Sequence, residues 1–177
     1  YNLRFDENVT VTNDVTFLNT GTITLGDAAD DVATFTGGID TTVVGGTKTL
    51  SGTVQTTGTD ADFGDITLAS NVTLDTGNAA LGTLSVGNVT GAGNNLTLDT
   101  GVTAGATLNV TSVDNVGTLT IVDAGGLATL GNVGAGTAGA VTITDSQAGV
   151  TFTGTVAATT LTITDTTGTV TFNGDAS

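Results

Sequence analysis

The chain has 177 residues, 17 acidic side chains against two basic ones (Arg4 and Lys48), a net charge of −15 and no Pro, Cys, Met, Trp or His. That charge argues against nucleic acid, which needs Lys and Arg to replace phosphate counterions, and against adsorption to anionic lipid; no run of about 18 apolar residues exists to span a bilayer. Without His or Cys, His-dependent triads, thiol nucleophiles and zinc sites of the usual kind are excluded as well.

The chain opens at Tyr1 in strand-like sequence with no visible signal peptide, as a mature product or excised piece would. Residues 1–19 contain "VTF" at 15–17 but are short for a full repeat, and are expected to form an incomplete first coil or a cap. From residue 20 to 177 one phrase recurs. "TITLG" at 22 is followed by "VATF" ending at Phe35. "TKTLS" at 47 is followed by "DADF" ending at Phe63, with a longer loop around Gln55 to Asp60. "NVTLD" at 71 leads to "LGTL" ending at Leu84, and "NLTLD" at 95 to "GATL" ending at Leu108. "TLTIV" at 118 leads to "LATL" ending at Leu130, "AVTIT" at 140 to "GVTF" ending at Phe152, and "TLTIT" at 160 to "TVTF" ending at Phe172.

Aligned in this way, Leu25, Leu50, Leu74, Leu98, Ile121, Ile143 and Ile163 form one column, each preceded by a threonine: Thr24, Thr49, Thr73, Thr97, Thr120, Thr142 and Thr162. A second column runs Phe35, Phe63, Leu84, Leu108, Leu130, Phe152, Phe172, with Ala33, Ala61, Gly82, Ala106, Ala128, Val150 and Val170 two places before. A looser third holds Val89, Val113, Val133 and Val156. Strand side chains alternate faces, so aliphatic-Thr-aliphatic places two residues inward and one hydroxyl outward. Repeats of 20–25 residues with two or three such strands predict an all-β, right-handed parallel β-helix, a solenoid of about seven coils. A β-sandwich offers no reason for one residue type to recur in one column seven times. Missing proline agrees, because interior rungs need every N–H. Lys48 sits awkwardly in an otherwise aliphatic column. Either it lies near a corner and reaches solvent, or the register slips there.

"NVTLDTGNAALGTLSVGNV", "NNLTLDTGVTAGATLNV" and "AVTITDSQAGVTFTGTV" resemble the strand repeats of filamentous-haemagglutinin-like and autotransporter-type giant bacterial surface proteins, over roughly residues 9 to 175. The resemblance implies a secreted, extracellular rod at the bacterial cell surface. Such a rod holds a binding tip away from the cell or itself contacts other cells or matrix surfaces.

No catalytic constellation is expected, and no cofactor. A carboxylate pair could cut a neutral glycan, but sugar-stacking aromatics are scarce. The acidic residues cluster at coil corners. Asp75, Asp99, Asp123, Asp145 and Asp165 read first as turn formers that accept backbone N–H groups. They are the weak calcium candidates too, since stacked carboxylates repel and Ca²⁺ takes oxygen ligands. No "GGxGxD" motif accompanies them. The threonine column is a possible surface-binding ladder, and a flat Thr-x-Thr array would suit ice, but Asn71, Asn95 and Ala140 interrupt its outer row. Five Asn-x-Thr triplets, at Asn8, Asn71, Asn88, Asn95 and Asn109, follow from composition. Stacked coils leave an open edge at each end, so self-association into filaments through the ends is the expected partner interaction.

Overall fold

A computed structural model describes residues 1–134 and 139–177. Among the described residues there is no helix, and eighteen strands pair only in parallel. The pairing winds them into a solenoid with three faces. On the first face, one position runs Leu3, Ile23, Lys48, Ile66, Val89, Val113, Val133, Val156, Ala176. Those nine registered positions bound eight turns, against about seven expected. At roughly 4.8 Å per turn the stack rises about 38 Å.

The second face carries Val9–Val11, Val32–Phe35, the end of Lys48–Gln55, the end of Ile66–Asp75, Leu96–Asp99, Thr118–Ile121, Ala140–Ile143 and Thr160–Ile163. The third carries Val15–Thr16, Ile39–Asp40, Ala61–Phe63, the starts of Leu84–Thr90, Leu108–Asp114 and Ala128–Val133, then Val150–Phe152 and Val170–Phe172. Residues 1–19 therefore supply short strands to all three faces.

Inward residues fill a continuous core. Leu74, Leu98, Ile121 and Ile143 stack on the second face, all essentially inaccessible to water. Each such side chain contributes about 1.5–3 kcal/mol by leaving water. On the third face volume is traded within each rung. Ala61 accompanies Phe63, Leu84 accompanies Val86, Leu108 accompanies Val110, and Ala128 accompanies Leu130. Near the start of the rod, Phe17 contacts Phe5 and Phe35 edge to face, with centroids 6.3 and 6.2 Å away, so one aromatic from each face meets across the core. Near its other end the rings of Phe152 and Phe172 stack at 5.1 Å and 10°.

Two expected alignments are corrected. Leu25 and Leu50 belong to the first face, where Leu50 pairs with Leu68; they do not stack under Leu74. Phe35 lies on the second face opposite Val11, and Leu84 and Leu108 sit opposite Ala61 and Ala128 rather than Phe63 and Leu130. The cause is shared chemistry. All three faces use aliphatic-Thr-aliphatic, so the motif does not identify its face. A slip of two residues also leaves every side chain on its original side. The turning point is Lys48–Gln55, which crosses from the first face to the second at an irregularity between Leu50 and Gly52. Lys48 is largely buried, at 6% exposure.

The last rung leaves Leu161, Ile163 and Phe172 at 39%, 40% and 37% exposure. At the opposite end Leu3, Phe5, Val9, Val11 and Val15 are only partly buried.

Candidate functional site

Outward residues form ladders, and the ladder expected on one face is divided between two. Thr73, Thr97, Thr120, Thr142 and Thr162 register on the second face above Thr53. Thr24 and Thr49 register on the first face, continued by Thr67 and Thr90. A third row on the third face runs Thr16, Asp40, Asp62, Ser85, Asn109, Thr129, Thr151, Thr171. Beside the longest ladder, Thr118 pairs with Ala140 and Ala140 with Thr160. Hydroxyls recur vertically on every face, but no face carries two complete threonine rows.

Of the five corner aspartates, Asp75 and Asp99 behave as turn formers. Asp75 Oδ1 accepts the Gly77 N–H at 2.6 Å, and Asp99 Oδ1 accepts that of Gly101 at 2.7 Å. Both glycines have positive φ, +76° and +67°, a conformation that a side chain disfavours. Asp145 accepts a bond from Gln147 Nε2. Asp75 and Asp99 are registered partners. Asp123, Asp145 and Asp165 follow one residue further along, where the Asp145 N–H donates to the Val122 carbonyl and that of Asp165 to Thr144. Among the described residues no three acidic groups converge as a metal centre would require.

Crowding shows in their acidity. Burial raises the Asp99 carboxyl above its ordinary 3.8 and the Gly101 N–H opposes the rise, while the charges of Asp75 and Asp123 add to it. Burial also raises Asp123, with Asp145 adding to the effect. In the window just above 3.8 the folded chain therefore binds more protons than the unfolded one. Stability falls as pH rises through that window, and the penalty is fully present above it. Asp31 is displaced in the opposite sense, lowered by the backbone N–H groups of Ala28 and Asp27. Asp99→Asn keeps an oxygen for the Gly101 N–H. It is expected to raise the urea midpoint at neutral pH, with the gain shrinking as pH falls and lost only well below 3.8, where the carboxyl is neutral in both the folded and the unfolded chain.

A second set of corner residues was not anticipated. The residue after Asp75, Asp99 and Asp145 points inward and closes the loop to the third face. Thr76 Oγ1 donates to the Gly82 carbonyl at 2.8 Å, Thr100 Oγ1 to Ala106 at 2.9 Å, and Ser146 Oγ to Gly149 at 2.9 Å. All three hydroxyl residues are fully buried. The signal was present as Asp-Thr/Ser followed by a nearby glycine at 75, 99, 145 and 165. Thr100→Val preserves shape and removes one of the two donors to the Ala106 carbonyl, which keeps the Gly126 N–H at 2.7 Å, and should cost about 0.5–1.5 kcal/mol in a denaturant titration.

Other corners join one coil to the next. Side-chain oxygens of Asn8, Asp60, Asp65, Asn71, Asn78 and Asn132 accept the backbone N–H groups of Val32, Thr83, Asn88, Asn95, Val102 and Thr155, at 2.7–3.0 Å. In each case the acceptor lies one coil earlier. Three of the Asn-x-Thr asparagines, Asn8, Asn71 and Asn88, thus bond neighbouring coils.

Arg4 pairs with Asp6 and Asp27 in the open, where ion pairs contribute little. An acidic groove contains Asp14, Asp40, Asp60 and Asp62. A second groove follows the edge of the third face past Ser85, Gly87, Asn109 and Gly131. No helix among the described residues is long and apolar enough to cross a membrane. No protein family, curated protein or solved structure matches the chain.

Proposed function

We propose that this chain is a non-enzymatic structural or adhesive rod segment of a bacterial extracellular or cell-surface protein. One observation carries the reading: a single apolar core continues through eight turns with registered columns. Every coil carries its load through hydrogen bonds to the coils beside it. Such an object spans distance and presents repeated surface. The likeness of its repeats to giant bacterial surface proteins supports the extracellular setting. The acidic surface favours solubility and mutual repulsion between rods.

An antibody raised against the chain tests this in the producing cell. Labelling of intact cells is the expected result. Labelling only after permeabilisation, or turnover of any substrate by the purified chain, would sink the proposal.

A second reading is a subunit that stacks end to end into a filament, since any coil without a neighbour presents unpaired strand N–H and C=O groups. Electron microscopy across a concentration series separates the two. Short single particles at every concentration would count against stacking. Thermal hysteresis on the same sample tests the ice-binding alternative, which the division of the threonine ladder disfavours.

A further inference from the structure

Lys48 has the surroundings of a binding group. It stands on the first face between Ile23 and Ile66 and is 6% exposed. Its Nζ makes one long hydrogen bond, to the Val44 carbonyl at 3.4 Å. Among the described residues no carboxylate lies within 4.0 Å of it. An ammonium has three N–H donors, so two remain without a protein acceptor. Burying a charge in that state is costly unless something pairs with it.

The side chain lines a recess at the corner between the third and first faces, together with Thr42, Thr47, Gly64, Asp65 and Thr67. Gly64 makes the room: a Cβ there would lie 3.1 Å from both Cε and Nζ of Lys48. Two more unsatisfied polar atoms belong to residues bonded to the wall of this recess. Asn19 Oδ1 and Thr41 Oγ1 are buried without a partner. The carbonyls of these residues accept the N–H groups of Gly45 and Val44, which also line it. Asp65 makes no ion pair with Lys48: its carboxylate lies more than 4.0 Å from Nζ, and its Oδ1 is held by the Asn88 N–H and Nδ2 at 2.8 and 2.9 Å.

We propose that this recess binds one small monovalent carboxylate, whose oxygens accept the two free Lys48 N–H groups. Charge selects the class. A single ammonium compensates one negative charge. Asp65 at the wall and a net charge of −15 act against a divalent anion such as sulfate.

Formate, acetate and sulfate are titrated separately into the isotope-labelled full chain at constant ionic strength, followed by ¹H–¹⁵N spectra. The amides of Gly45, Gly64 and Asp65 should move saturably with formate and acetate, at concentrations at least about tenfold lower than with sulfate. Lys48→Met, of similar length and uncharged, should remove the saturable response and leave the remaining spectrum in place. If that variant does not fold, the Lys48 Nζ resonance of the unaltered chain gives the answer. Its protons should exchange with water more slowly as either acid saturates the site. Three results would overturn the proposal. They are no saturable shift at these amides, meaning that water alone fills the recess, equal binding of sulfate, and an unchanged response in Lys48→Met.

Discussion

Leu98→Ala is expected to destabilise the rod by about 2–5 kcal/mol, the range for truncating a fully buried leucine. Leu98 is inaccessible to water and stacked between Leu74 and Ile121. Alanine would lose the transfer energy of the removed carbons and leave a cavity that neighbours on two coils are too constrained to refill. Ile163→Ala, in the same column but in the last rung and 40% exposed, should cost less than half as much. Thermal melts followed by circular dichroism check the pair. For a chain of this size each kcal/mol moves the midpoint by about 2–4 °C. Equal losses at the two positions would show that the core is not a column with a protected middle and an open end. Because solenoid coils contact only their neighbours, the Leu98 variant should also broaden the transition, as cooperativity between the two halves weakens.

Gly52→Ala should cost about 2–5 kcal/mol, for two separable reasons. Gly52 has φ +68°, where a side chain costs roughly 1–2 kcal/mol. Its Cβ would also sit 2.3 Å from the Asp31 carbonyl oxygen. That oxygen cannot retreat easily, since it accepts the Thr53 N–H at 2.8 Å, and overpacking of this kind adds about 1–3 kcal/mol. Gly93→Ala isolates the first reason. Gly93 has φ +86°, but nothing lies within 4 Å of its would-be Cβ, so only the backbone cost of about 1–2 kcal/mol applies. Chemical denaturation of both variants decides the matter. If Gly93→Ala proves the worse of the two, close approach at the corner of Lys48–Gln55 is not what requires glycine there.

This corner is also where the sequence ceased to be readable. The parity of the strands in the recurring phrases was legible, because alternation alone decides which side chains face inward. Val89, Val113, Val133 and Val156 fall in one column as expected, as do Leu74 with Leu98 and Phe152 with Phe172. The face on which each strand lies was not legible from "TKTLS" and "ITLASNVTL". In both stretches two successive faces share one strand, Lys48–Gln55 or Ile66–Asp75, with no turn signal long enough to mark the boundary. The shift at Leu50/Gly52 therefore moved the apparent columns by one face for the first two repeats. Turn aspartates were legible because an Asx turn is local. The oxygens of Asn78 and Asn132 were not, because the N–H groups they accept are 24 and 23 residues away. The Lys48 recess left only one trace in the sequence, a cation in an aliphatic column.

The bonds that tie coil to coil run along the rod and not across it. A pull on the two ends would thus load them in their own direction and open them in succession, like a zip, starting from a terminal rung. A sideways push would have to shear many at once. Held at one end under flow, such a thread would yield by paying out one turn at a time, each about 20 residues of slack, while the turns still wound kept their form.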